Sequence, residues 1–389
     1  MIGVIADDLT GAAEIGGIGR RHGLKSEIII RGKCDAAADL LCVDTDSRSC
    51  TAEEAARRAA SAARELKRAG AVWIYKKVDS VLRGNLVAEI QAIQQTLNLQ
   101  STLLIPANPC FGRVIRGGHY FVNSKPIDET DFACDPEYPR TTSNVLELLG
   151  AAKTQAVTVT RLAAPFTTSG IILGEVSSSK DVQQWAARLG KNMLPAGGAE
   201  FFAAVLNVIG PKSTIRPALP DLAVAGGSSK EPRELFVCGS TSEFTNRFIN
   251  EARANGTPVF SLLESAGENF SFTRTILHDL IENAISAFHS NQRVILTIGR
   301  PLIARRAIAQ KLTAYLVQIS VAVIAHSKPH QVYAEGGATA AELVRRLGWN
   351  RMKALKELAP GVTTLRLPAP ESPLLTIKPG SYPGWPTIR

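Results

Sequence analysis

The chain has no Cys-x-x-Cys pair. Its six cysteines, Cys34, Cys42, Cys50, Cys110, Cys134 and Cys238, are scattered. That spacing argues against a structural zinc site. In a chain this size the thiols are expected to be reduced and to pack as small hydrophobes. Aromatic residues are few, at 6%, and no long Lys/Arg block occurs, so no nucleic-acid partner is expected. No apolar run approaches the roughly 18 residues that a membrane span needs, and no membrane partner is expected. Nothing at the start resembles a secretory leader, because the chain opens directly on a strand pattern. The expected location is cytoplasmic. Neither a Walker A motif nor a G-x-G-x-x-G fingerprint is present, and no internal repeat or low-complexity tract is found.

What is present is ordinary in bulk and specific in its turns. With 389 residues the chain can form two or three domains with proper cores. It carries 44 basic and 35 acidic side chains, for a net charge of +9. Such a surplus suits attraction of small anionic substrates, or only solubility. Arg57-Arg58 and Arg345-Arg346 sit on helical patterns and read as solvated faces.

The first half alternates strand and helix. Strands are expected over 2–6, 27–30, 41–44, 72–76 and 102–105, and helices over 12–22, 51–70 and 86–97. Thr51 and Glu54 make an S/T-x-x-E capping box for the second helix. Residues 106–142 are rich in Pro, Gly, Asn and Asp and read as a long ordered loop over the sheet edge. Further helices are expected over 143–149, 181–189 and 199–209, with a strand over 170–175. Composition shifts to Pro, Gly, Ser and Lys after residue 210. The domains are therefore expected at 1–210 and 233–389, with a linker over 211–232. The second domain reads as strands over 234–238, 293–298 and 331–334, and helices over 243–255, 273–290 and 339–347. The stretch 302–326 is ambiguous. The fold class is α/β: two domains, each a mostly parallel sheet flanked by helices.

Chemistry concentrates where strands end. The first strand stops at Asp7-Asp8, followed by Thr10 and Gly11 at a helix start. Ligands of open α/β sheets bind outside the carboxyl ends of strands, and paired acids there point to a site. A helix cap by Asp8 or Thr10 would suffice for one acid alone. Lys76-Lys77-Val78-Asp79-Ser80-Val81-Leu82-Arg83-Gly84-Asn85 ends another strand. Arg83 suits a carboxylate ligand, though an Arg83–Asp79 structural ion pair fits equally. Asn85 is placed to cap the next helix. Arg113, His119 and Asn123 are candidate substrate contacts. Gly239-Ser240-Thr241-Ser242 and Glu335-Gly336-Gly337-Ala338-Thr339 place amides and hydroxyls at helix starts, where phosphate binds. Thr376-Ile377-Lys378-Pro379-Gly380-Ser381 adds a lysine beside a glycine turn.

The order Ala-Asp-Asp-Leu-Thr-Gly-Ala, Lys-Lys-x-Asp-Ser-x-Leu-Arg-Gly-Asn, Pro-Ala-x-Pro-x-x-Gly-Arg, Gly-Gly-x-Thr-Ala and Lys-x-Gly resembles the four-carbon acid sugar kinase family over nearly the whole chain. The resemblance implies an N-terminal sugar-acid-binding domain, a C-terminal nucleotide-binding domain and an active site in the interdomain cleft. It implies ATP, with Mg²⁺, phosphorylating the terminal hydroxyl of threonate, erythronate or an oxo form. Asp7 and Asp8 would be catalytic, with Asp8 the base. Lys77, Asp79, Ser80, Arg83 and Arg113 would line the sugar-acid site, with Arg83 on the substrate carboxylate. Ser240, Gly336, Gly337, Thr339, Lys378 and Gly380 would hold the nucleotide. No metal ligand is assigned. The family's acidic residue between Gly-Gly and Thr is Ala338 here, so its metal or ribose contact is either lost or passes to Glu335. The partners implied are the acid and ATP, with a homodimer as the assembly considered. The alternative is a non-catalytic sugar-acid-binding protein with a degenerate nucleotide site. A dehydrogenase on the same acids is disfavoured by the missing dinucleotide fingerprint.

Overall fold

The structure, a computed structural model, describes residues 1–34, 38–135, 137–151, 156–165, 169–209, 232–266, 272–299, 306–380, 382 and 385. The chain forms two units, Met1–Arg216 and Pro217–Arg389. Residues 211–231 of the expected linker lie outside the described residues, as do 302–305 of the ambiguous stretch and Ser381 of the C-terminal turn.

The first unit runs β1 (Ile2–Ala6), α1 (Leu9–Arg21), β2 (Ser26–Ile29), β3 (Leu40–Asp44), α2 (Ala52–Arg68), β4 (Trp73–Lys77), α3 (Leu86–Leu97) and β5 (Ser101–Ile105). A small antiparallel sheet follows, of β6 (Arg113–Arg116), β7 (His119–Val122) and β8 (Lys125–Pro126). Then come α4 (Val145–Leu148), β9 (Val157–Thr160), β10 (Gly170–Gly174), α5 (Ser179–Ala187), β11 (Met193–Gly197) and α6 (Ala199–Ile209). The main sheet is parallel throughout, in the order β2-β3-β1-β4-β11-β5-β10-β9. Its strands read as continuous apolar runs because helices cover them. Register puts Asp44, Ala6, Lys77 and Gly197 in one row at the carboxyl edge. The acidic doublet begins one residue beyond that row.

Local signals explain most of these elements. Asp8 is the N-cap of α1, and its carboxylate accepts from Gly11 N at 2.8 Å. Thr51 caps α2, accepting from Glu54 N at 3.3 Å. The Glu54 carboxylate turns instead to Arg57 and Arg58. Asn85 is the N-cap residue of α3 without a capping hydrogen bond, because its amide donates to Cys50 O at 2.9 Å. The expected loop 106–142 carries the three-stranded sheet, which the Gly117-Gly118 turn allows.

The second unit runs β12 (Glu234–Cys238), α7 (Glu243–Ala254), β13 (Val259–Ser261), α8 (Leu262–Ser265), α9 (Arg274–Ser290), β14 (Arg293–Thr297), α10 (Arg306–Ser327), β15 (Gln331–Glu335), α11 (Gly337–Arg346), β16 (Arg351–Ala359), β17 (Val362–Arg366) and β18 (Leu374–Lys378). The order β13-β14-β12-β15-β18 is parallel, and β17 and β16 add antiparallel. Phe236 and Tyr333 stack in its core, with ring centroids 4.2 Å apart. Thr297, Cys238, Glu335 and Lys378 form one row at the carboxyl edge.

The ambiguous stretch resolves as helix from Arg306. Propensity for β structure in its second half is overridden by packing on α9, α11, β12 and β14. One expectation needs correction here. α10 has 22 residues and a window of mean hydropathy 1.5, long and apolar enough by composition to cross a membrane. In this structure part of that apolar surface is covered by its own domain.

Candidate functional site

At the carboxyl ends of β1, β3 and β4, three acids surround one guanidinium. Arg48, in the loop after β3, donates from Nε to Asp7 Oδ2 at 2.7 Å. Its Nη1 lies 2.8 Å from Asp8 Oδ2 and 3.8 Å from Asp79 Oδ1. Asp7 is nearly buried, whereas the Asp8 side chain is 18% exposed. Asp8 is therefore the acid of the doublet that a ligand can reach. Burial pushes its carboxyl up, but Arg48, Lys77 and hydrogen bonds from Thr10 and Gly11 outweigh this and hold it below its ordinary value. Asp79 is buried, which raises its carboxyl, yet Arg83 and Arg48 hold it well below the usual range.

Arg83 is committed to protein partners. It meets Asp79 at 2.8 Å and Asp135 at 3.0 Å. The structural ion pair that the sequence left open is thus formed, and a role on the substrate carboxylate would have to compete with it. Lys77 is buried, 3.2 Å from Glu14 Oε2, and donates to Val78 O. Ser80 accepts from Arg113 Nη1, and its carbonyl accepts from the Tyr120 hydroxyl. So Asp7, Asp8, Lys77, Asp79, Ser80, Arg83 and Arg113 all belong to one connected cluster of loops. His119 is exposed and pairs with Ser143, and Asn123 sits in the β7–β8 turn. Neither is bonded to the acidic cluster.

In the second unit the loops after β12, β15 and β18 converge. A Cβ on Gly239 would fall 1.8 Å from Thr339 Oγ1, so only glycine allows this approach. Gly336 has a φ of 95°, which glycine adopts without strain. Ser240 Oγ donates to Gly380 O at 3.4 Å. Gly336 is the N-cap of α11 and no side chain caps that helix. The amides of Gly337, Ala338 and Thr339 open the first turn, where a helix has no internal acceptors for them. This is the arrangement that favours an anion.

Lys378 and Glu335 have another occupation. They are fully buried and 2.7 Å apart, and Thr245 Oγ1 donates to the same Glu335 oxygen at 2.8 Å. Lys378 Nζ also donates to Pro379 O and Tyr382 O, both at 3.2 Å. Glu335 is therefore not positioned to replace the family's acid at Ala338. Its charge is used to tie two strands together.

Comparison with known proteins assigns both units. Residues 2–199 match the family model of a sugar-binding N-terminal domain, and residues 235–382 that of a nucleotide-binding C-terminal domain. The chain belongs to the four-carbon acid sugar kinase family. It is 25% identical to the D-threonate kinase of Salmonella typhimurium, over 92% of this chain and 89% of that protein. It is 26% identical to the 3-oxo-tetronate kinase of Haemophilus influenzae, over 98% and 97%. A solved structure from Salmonella typhimurium LT2 superposes with a TM-score of 0.77 at 19% identity, covering 98% of this chain and 96% of that one. That likeness confirms the fold.

Several residues of this family member escaped sequence reading. Arg48 lies 41 positions from Asp7 and carries no local signal beyond Asp44-Thr45-Asp46-Ser47-Arg48 after a strand. Asp44 ends β3 in the row beside Ala6, and burial pushes its carboxyl up to about 8. Glu14, six residues past the Asp8 cap in α1, pairs with Lys77 at 3.2 Å. Asp135 and Arg140 sit in the long loop 106–142, where composition showed a turn-rich segment and no periodicity to place individual side chains.

Proposed function

We propose that the chain is an ATP-dependent kinase that phosphorylates the terminal hydroxyl of a four-carbon sugar acid such as threonate, erythronate or an oxo-tetronate. The observation that carries this reading is Asp8, an ionised and partly open carboxylate at the head of β1, in the unit that matches a sugar-binding domain. The division proposed is a sugar-acid part over 1–210, a linker over 211–232 and a nucleotide part over 233–389. The acid would lie among Lys77, Asp79, Ser80, Arg83 and Arg113. The phosphates would lie on the amides of Gly337 and Thr339, with Gly336, Ser240 and Gly380 shaping the cradle; the Gly336 amide itself donates to Lys378 O at 3.0 Å.

In the reaction the terminal hydroxyl oxygen of the acid attacks the γ-phosphorus of ATP. The bond to the ADP oxygen breaks, and Asp8 accepts the hydroxyl proton. Such transfer depends on positioning and charge neutralisation, so acid and nucleotide must be brought together with water excluded. Among the described residues no group of three His, Cys, Asp or Glu could hold a metal ion. Mg²⁺ would therefore arrive on the phosphates, where it supplies neutralisation of their charge. Lys378 would act in the same site by holding the carbonyls of Pro379 and Tyr382 rather than by touching phosphate. The cytoplasm, which supplies ATP, is the proposed location, and light scattering tests a homodimer.

The alternative reading, a sugar-acid-binding protein without nucleotide chemistry, draws on Ala338 and on the commitment of Lys378 to Glu335. One experiment separates the two. ADP release is measured with ATP and Mg²⁺ against threonate, erythronate and their 2- and 3-oxo forms. Release dependent on one acid establishes the kinase and names its substrate. Acid binding by calorimetry with no ADP release and no ATP binding favours the alternative.

A further inference from the structure

Arg140 is a buried cation with no counter-charge among the described residues. It is 7% exposed. Its Nε donates to Tyr138 O at 2.9 Å and its Nη1 to Leu82 O at 3.1 Å. Its guanidinium carbon lies 5.9 Å from the centre of the Tyr138 ring. All of these partners are neutral. Among the described residues no carboxylate lies within ion-pair distance of it. The two acids that act on it through space, Asp79 and Asp135, are both held by Arg83, which itself repels Arg140. An arginine keeps its charge inside a protein. Buried charges are normally matched, because an isolated one loses its hydration with nothing in return.

The other cations of the cluster are engaged. Arg48 has Asp7 and Asp8, Arg83 has Asp79 and Asp135, Lys77 has Glu14, and Arg113 meets Ser80. Arg140 is also wired into the site. Leu82, whose carbonyl it holds, lies in the loop between Asp79 and Arg83. Tyr138, whose carbonyl it also holds, donates its hydroxyl to the carbonyl of Arg48. Tyr138 and Arg140 therefore lie against the loops that carry the acidic cluster.

We propose that Arg140 receives the carboxylate of the substrate, in place of Arg83. The inference rests on the sugar-acid kinase reading above. It supplies the anion that the fold leaves missing at Arg140 and spares the Arg83–Asp79–Asp135 network from being broken on binding. A four-carbon acid bound this way has its terminal hydroxyl three carbon–carbon bonds away from the carboxylate.

The test compares the acid turned over in the panel above with its primary amide, which is isosteric and uncharged. Binding is read by calorimetry and turnover by ADP release, for wild type, Arg140→Gln and Arg140→Lys. Arg140→Gln should weaken the acid by about a hundredfold and leave the amide and the KM for ATP as they were. Arg140→Lys, which restores the charge without the fork, should recover part of the loss. A purely structural role would weaken acid and amide together and lower the melting temperature of both variants. That result, or an acid-over-amide preference that survives in Arg140→Gln, overturns the proposal while leaving the kinase reading intact. If wild type neither binds nor phosphorylates any acid of the panel, the kinase reading falls and this inference falls with it.

Discussion

Replacing Arg48 by methionine should destabilise the first unit by about 3–5 kcal/mol at neutral pH, the range for breaking a buried ion pair by removing one partner. Methionine fills much of the stem volume but supplies no charge. Asp7 then loses its 2.7 Å partner, and Asp8 loses one at 2.8 Å. Asp8 retains Gly11 N and the field of Lys77, and Asp79 retains Arg83. Most of the loss therefore falls on Asp7, whose side chain is only 2% exposed. In a unit of this size the cost corresponds to a fall of roughly 10 °C in melting temperature. The pH dependence gives a second handle. In the wild type Asp8 and Asp79 have folded pKa values below their ordinary value of 3.8. Such groups add stability that is complete above the unfolded pKa and is lost as pH falls through the folded one. Without Arg48 that depression shrinks, so the difference between the two proteins should be full at pH 7 and should close only as pH falls well below 3.8, through the folded values. Denaturant unfolding followed by fluorescence, with the buried Trp185 as a reporter of this unit, measures the difference at pH 7 and at a pH well below 3.8. A deficit under about 1 kcal/mol, typical of a surface pair, or one that is the same at both pH values, would refute the reasoning.

Three other outcomes are expected. Asp8→Asn keeps a capping oxygen for Gly11 N but cannot take a proton, so the variant should fold and lose about 10²–10⁴ in kcat; near-wild-type ADP release excludes Asp8 as the base. Asp44→Asn should flatten the pH dependence of stability. The wild-type carboxyl is held neutral in the folded state up to about pH 8, a raised value, so its contribution is present below the unfolded pKa and is lost as pH rises through the folded one; parallel stability curves between pH 5 and pH 8 for the two proteins would contradict this. Glu335→Gln leaves Lys378 charged in a fully buried position and should cost the second unit about 3–5 kcal/mol. Adding Lys378→Met should recover most of it, and a double-mutant cycle with no coupling would show that the pair is not an ion pair in solution.

The sequence was most legible where signals are local. The helix over 86–97 was read to its last residue, because an apolar period follows a turn and ends at Asn98, which adopts the left-handed cap. The strands over 2–6 and 234–238 were legible as short apolar runs bounded by turns. Other strands were hidden by their own composition. β11 contains Pro195 and ends at Gly197, two residues that disfavour a strand pattern. Its ladder to β4 uses only Ala196 and Gly197, so the proline is tolerated. β16 carries charges along its length and has register shifts against β17, which erase a clean alternation. The sites divided in the same way. Asp7, Asp8, Lys77, Asp79, Ser80, Arg83 and Arg113 stood out because each lies beside a strand end or a glycine turn. Arg48 and Arg140 did not, since their neighbours in sequence carry no sign of what they meet in space.

The chain by itself determined most of the helices and the first strands of each unit, the caps at Asp8 and Thr51, the acidic head of β1 and the glycine turns, because each depends on residues within a few positions of one another. The tertiary structure alone decided the pairing of charges. Parallel register brings the ends of β1, β3 and β4 into one row, and burial there makes an unmatched charge costly. That is why Arg48 is drawn to both acids of the doublet and Glu335 to Lys378. It is also why Arg140 stands out as a buried cation that meets only carbonyl oxygens among the described residues.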